Sequence, residues 1–180
     1  ELYKYLILIF YCSRHTKFNE PMDAIVYGLA VSLGFSARGN IDYILHYEDY
    51  RVTYEYMAGI RIIPTFMHAT SSMIMALFLS KAIFTNQSVQ KRLILALLIP
   101  ALFHGTYNIL IGYSLLLGCL LLIITLIYVV ILYKKIRNFQ FDKIEEPETK
   151  YSPQATLVFK SIFVSFIAIA SIIFILINTL

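Results

Sequence analysis

The sequence predicts an all-α, polytopic membrane protein: a transmembrane helix bundle of five full spans and one partial N-terminal span. Three observations predict it. Of the 180 residues, 59% are hydrophobic and 14% charged, and the mean hydropathy of +0.71 lies outside the range of soluble globular domains. Apolar stretches close to the roughly 20 residues that cross a hydrocarbon core of about 30 Å recur along the whole length. The charges gather mainly between those stretches.

Taken in order, Leu6 to Tyr11 reads as the tail of a span ending near Cys12, with its beginning and further helices expected upstream of residue 1. Full spans follow at Pro21–Leu45, Gly59–Phe84, Lys91–Gly112, Tyr113–Ile136 and Ala155–Leu180. Gly112-Tyr113 leaves room only for a tight hairpin. Asn138 to Pro153, with Glu145-Glu146-Pro147-Glu148, reads instead as a polar linker. The chain thus divides into a membrane core (residues 1–136), a cytoplasmic linker (137–154) and a C-terminal transmembrane helix (155–180). No basic n-region followed by a cleavage site appears, so no signal peptide is read.

Orientation follows from the positive charges. Arg14 and Lys17, then Lys81, Lys91 and Arg92, then Lys134, Lys135, Arg137, Lys143 and Lys150 fall in alternate loops and so share one side. The second loop carries His46, Glu48, Asp49, Arg51 and Glu55, and the fourth carries no charge. The basic loops, 14–17, 81–92 and 134–150, are therefore expected in the cytoplasm. Because these residues cluster at span ends rather than along one face, the net charge of +4 points to topology and not to nucleic acid. Cys12 and Cys119 stand apart with no CxxC, so they read as packing residues.

Ionisable groups at the centre of a span cost about 2.5–3.5 kcal/mol on insertion scales, which makes each one a functional candidate until a structural reason is found. Lys4 can snorkel, Asp23 sits in a first turn where a carboxylate suits the helix dipole, and Arg38 and Arg61 lie near span ends. Glu1, His68, His104 and Asn108 have no such reason. At about 1.5 Å per residue from the cytoplasmic helix ends, Glu1 lies about 17 Å up, His104 about 20 Å, His68 about 24 Å and Asn108 about 26 Å. Four polar groups on three antiparallel segments therefore reach one slab near the midplane.

Ile63-Pro64-Thr65-Phe66-Met67-His68 and Ile99-Pro100-Ala101-Leu102-Phe103-His104 both read I-P-x-x-x-H. In each, the proline is expected to remove a helical hydrogen bond one turn before the histidine and to bend the helix. Asn108, four residues after His104, shares its face. Ser72 stands in the same relation to His68 but reads as a helix-packing residue, since serine in a span usually bonds its own backbone. Two histidines with a carboxylate suit either of two chemistries: a divalent metal such as zinc, or no cofactor and a water activated by glutamate.

Four segments carry a resemblance. Glu1-Leu2-Tyr3-Lys4 fits the end of an E-E-x-x-K helix. Asp23-Ala24-Ile25-Val26-Tyr27-Gly28-Leu29-Ala30-Val31-Ser32-Leu33-Gly34-Phe35, continued by Asn40 and Tyr43, follows D-G-x-x-Y-G-x-A-x-x-L-G-F-x-x-x-E-N-x-x-Y. His68 after Arg61 and Pro64 makes a third, and His104-Gly105-Thr106-Tyr107-Asn108 fits H-G-x-Y-(D/N). In this order, from Glu1 to about Gly112, they resemble the PrsW family of intramembrane proteases, relatives of the CAAX prenyl proteases.

The resemblance implies an endopeptidase of the bacterial cell membrane that cleaves a membrane-associated protein, in some relatives an anti-sigma factor. Its partners would be that protein and the lipid bilayer. Glu1 and a glutamate just upstream would activate water, His68 would hold the water or a metal, and His104 with Asn108 would stabilise the oxyanion, for about 2.7–4 kcal/mol per preorganised donor. Lys4, Asp23 and Asn40 would support them, Lys4 by pairing with a carboxylate and keeping it ionised. One departure matters: where the family has E-N, this chain has Gly39-Asn40. That favours a second reading, a catalytically inactive relative that binds a membrane partner. A third, a small-solute transporter, would call for inverted repeats, and the short I-P-x-x-x-H echo does not make one.

Overall fold

The computed structural model describes residues 1–46, 59–85 and 88–143, and the side chains of those up to 138. Its elements are all helical: α1 (Leu2–Phe10), a short 3-10 turn at Cys12–Arg14, α2 (Asp23–Leu45), α3 (Ile62–Phe84), α4 (Val89–Tyr113) and α5 (Leu115–Lys143). The expected C-terminal span, most of the linker, and Glu48, Asp49, Arg51 and Glu55 lie outside the described residues. Among the described residues, three helices are long and apolar enough to cross a membrane: α3, α4 and the stretch Leu115–Asn138 of α5. α2 has the length, but its second half carries Arg38, Asn40 and Asp42 among few large apolar residues.

α3 is the centre of the bundle, packed against α2, α4 and α5, while α1 lies against α2 and α4. Its residues from Ile74 to Phe84 are largely buried with Leu8, Ile9, Phe18, Ala24, Ile25, Leu93 and Ala96 in one apolar core. Close approach depends on Gly28, where an added Cβ would stand 3.0 Å from the Ala76 Cβ and 3.3 Å from the Ser72 carbonyl oxygen. The α4–α5 hairpin turns as tightly as expected, and at Gly118 a Cβ would come within 2.9 Å of Ile111.

The core lies at the end of the bundle that carries the first, third and fifth loops, called here the basic end. There the Ser80 hydroxyl donates to the Pro21 carbonyl at 2.8 Å and the Tyr5 hydroxyl to the Leu93 carbonyl at 3.0 Å. The Arg92 guanidinium closes the α3–α4 turn by donating to the Lys81 carbonyl at 2.9 Å and to the Thr85 hydroxyl.

Two local expectations change. Pro64 falls in the first turn of α3, where backbone N–H groups have no helical partner, so it removes no intrahelical bond and starts the helix rather than bending it. Pro100 does lie inside α4. α5 runs on to Lys143, past the span end expected at Ile136, because loss of apolarity ends a span but does not end a helix.

Candidate active site

At the far end from the basic loops, α1, α3 and α4 bring three side chains together. Glu1, immediately before α1, His68 of α3 and His104 of α4 each offer a ligand atom, and these atoms all lie within 4.8 Å of one another. His104 Nδ1 is 2.7 Å from Glu1 Oε1, and the two imidazole rings meet edge to face with centroids 5.0 Å apart. Lys4 Nζ reaches the same Glu1 oxygen at 2.7 Å, off the hydrogen-bond direction but in direct charge contact. The Lys4 side chain is 1% exposed and that of Glu1 5%. Lys4 thus pairs inward and does not snorkel: a carboxylate one helical turn away compensates its charge better than a stretched path to water.

Phe35 of α2 roofs this group. Its ring lies 5.6 Å from that of His68, edge-on, and the Lys4 ammonium stands 5.6 Å from its centroid. Glu1 Oε2 and His68 Nδ1 are buried yet have no hydrogen-bond partner among the described residues. Buried polar atoms are nearly always satisfied, so two orphans in one polar cluster ask for a ligand. A carboxylate and two imidazoles are hard-to-borderline donors that suit a divalent ion with an open coordination position, and the residues present fit such an ion.

Other expected site residues separate. Asn108 is exposed one turn beyond His104, with no hydrogen bond to the cluster. Asp23 lies at the basic end, where its Oδ2 accepts from the Asn19 and Glu20 backbone at 2.8 and 2.7 Å and so fixes the entry to α2. Ser72 is buried against the Gly28 side of α2, and its hydroxyl bonds neither its own backbone nor another described residue. Arg38 is exposed beside Asp42 at 2.9 Å, and Gly39 faces open space.

Asn40 joins a second polar group between α2 and α3, one to two turns beyond His68. It accepts from Arg61 Nε at 2.9 Å and donates to the Thr65 hydroxyl at 2.9 Å, which also receives the Ser36 hydroxyl at 3.1 Å. The Arg61 guanidinium lies over the Tyr43 ring at 4.5 Å. Sequence reasoning did not single out Phe35, Ser36 or Thr65. The available signal was helical spacing, since Ser36 precedes Asn40 by four residues and Thr65 follows Arg61 by four.

A cleft lined by Leu77, Phe78, Lys81, Tyr128, Leu132 and Ile136 opens between α3 and α5 toward the basic end, away from the histidines.

Comparison with known proteins bears on this arrangement. The family model described as PrsW family intramembrane metalloprotease matches residues 1–133. Curated relatives carry the name Protease PrsW. That of Oceanobacillus iheyensis is 33% identical over 135 residues, 74% of this chain and 60% of the relative. That of Bacillus subtilis is 36% identical over 109 residues, 60% of this chain and 48% of the relative. That of Halalkalibacterium halodurans is 31% identical over 108 residues, again 60% of this chain and 48% of the relative. The chain therefore spans about half to three fifths of the length of these relatives. No solved structure matches it.

Proposed function

The chain belongs to the PrsW family of intramembrane metalloproteases, and from that premise we propose that it forms the catalytic part of a membrane-embedded endopeptidase cleaving a membrane-associated protein. The supporting observation is the half-buried Glu1, His68 and His104 group with two buried atoms left unpartnered among the described residues. A divalent ion held by these three residues, zinc being the best match to two imidazoles and a carboxylate, would supply a polarised carbonyl and a water nucleophilic at neutral pH. The chain's own side chains do the rest.

In the form without a metal, Glu1 is anchored through Oε1 by His104 and Lys4, which leaves Oε2 to take a proton from the attacking water; with an ion bound, Oε2 would be its ligand. Because Lys4 is the buried counter-charge, the carboxylate is held in place without a shell of water. His68, whose Nδ1 has no partner among the described residues, would hold that water. With Nδ1 of His104 engaged by the carboxylate, which fixes the imidazole's orientation, its Nε2 would be the nitrogen that meets the incoming group. Asn108, one turn on and exposed, would donate its amide to the oxyanion once a peptide enters. Asp23 and Asn40 act by fixing α2.

In this reading the bundle has five full spans and one partial span, with the loops at 14–17, 81–92 and 134–150 on the cytoplasmic side of a bacterial cell membrane. The reaction then takes place toward the outer half of the bilayer. An anti-sigma factor is the substrate class that the resemblance suggests.

Gly39 supports a second reading, in which this member binds a membrane partner without cutting it. A side chain at position 39 meets open space, so Gly39→Glu is sterically accommodated. Cleavage that appears only in Gly39→Glu would establish the inactive reading. The proposal itself is tested on the intact purified protein by comparing peptide cleavage in wild type and Glu1→Ala, with metal content measured alongside. Loss of cleavage in Glu1→Ala is expected, and equal activity sinks the mechanism. Active protein that carries no metal would leave only the glutamate-activated form.

A further inference from the structure

Arg61 is a charged residue near the site that the proposed chemistry does not use. It caps the start of α3, seven residues before His68, and seven residues are two helical turns, so both side chains leave the same face about 10 Å apart along the axis. Its placement is built. Nε donates to Asn40 Oδ1 at 2.9 Å, the guanidinium carbon stands over the Tyr43 ring at 4.5 Å, and Asn40 in turn donates to Thr65. Such a frame fixes the fork's direction and leaves the two terminal nitrogens without a partner among the described residues. A guanidinium held by one nitrogen and one face, with its bidentate edge open, is arranged for an oxyanion ligand.

Two anions could meet it, a lipid phosphate or a carboxylate of the peptide. The peptide is favoured by position: Arg61 sits on the helix face that carries His68 and is half-buried against α2, whereas a lipid phosphate calls for a side chain turned out of the bundle. An extended peptide advances about 3.3 Å per residue, so about 10 Å corresponds to about three residues. We propose that Arg61, aimed by Asn40 and Tyr43, binds an acidic side chain of the substrate about three residues from the cleaved bond and so sets the enzyme's sequence preference. The inference rests on the protease reading given above.

The test uses the intact protein in phospholipid-free detergent with an equimolar set of synthetic peptides that varies the residue type at every position, and cleavage sites are read by mass spectrometry. Wild type should enrich Asp and Glu at a single position about three residues from the cut. Arg61→Gln should slow cleavage of those peptides by roughly tenfold to a hundredfold, the worth of a charge-assisted pair, while peptides neutral there change less than about twofold. Arg61→Lys should keep part of the preference, and Arg61→Glu should move it to Lys and Arg, which a merely misfolded variant would not do. Cleavage without acidic preference in wild type, or the same profile in Arg61→Gln, overturns this inference and leaves the protease reading intact. A uniform loss in Arg61→Gln that appears only in vesicles of anionic phospholipid assigns the guanidinium to lipid and also overturns it. Absence of cleavage by wild type overturns both.

Discussion

At the basic end, Ser80 gives its hydroxyl to the Pro21 carbonyl, Tyr5 to the Leu93 carbonyl and Arg92 its guanidinium to the Lys81 carbonyl, so the polar groups tie helices together. At the far end, Glu1 Oε2, His68 Nδ1 and the Tyr107 hydroxyl are buried without a partner among the described residues. Both ends are made of the same helices. The difference is that, among the described residues, the buried side-chain donors and acceptors are satisfied at the basic end and left unpartnered at the far end. Since an unmade buried hydrogen bond costs about 1–3 kcal/mol, the far end gives up stability that the basic end retains.

The largest expected effect breaks the balance at the far end. Glu1→Gln leaves the Lys4 ammonium buried without its carboxylate, and thermal melting in detergent should show a loss of about 3–5 kcal/mol. The double variant Glu1→Gln with Lys4→Met should recover most of it. If the second change recovers nothing, the pair does not hold the site together. Next in size, Gly28→Leu drives a side chain into Ala76 and the Ser72 carbonyl and should cost about 1–3 kcal/mol through overpacking at the α2–α3 contact. Smaller again, Tyr5→Phe removes the bond from α1 to the Leu93 carbonyl and should lower stability by about 0.5–1.5 kcal/mol in the same melt. Both of these changes should reduce cleavage only in proportion to the folded fraction.

The same contrast explains what could be read from sequence. Helix positions follow from apolar length, and α2, α3 and α4 begin and end within three residues of their expected bounds. Glu1, His68 and His104 could be placed together because rise per residue in antiparallel helices converts position into height. Height carries no azimuth, however. Asn108 has the right height and helix face, yet it stands exposed outside the cluster. Lys4 reads from sequence as either snorkelling or pairing with a carboxylate, and only the structure, with Glu1 at 2.7 Å, decides for the pair. Pro64 and Pro100 share a motif, but only the helix start at Ile62 decides that the first is an opening residue and the second an interior one. The Arg61, Asn40, Thr65 and Ser36 network joins two helices, and spacing within each helix does not give their pairing.

His68 separates function from structure most cleanly, because its Nδ1 makes no hydrogen bond that a substitution could take away. The decisive measurement is peptide cleavage and thermal melting on one preparation of intact His68→Asn. The account predicts cleavage lower by about a thousandfold with a melting temperature within a few degrees of wild type. Wild-type cleavage in His68→Asn would contradict it.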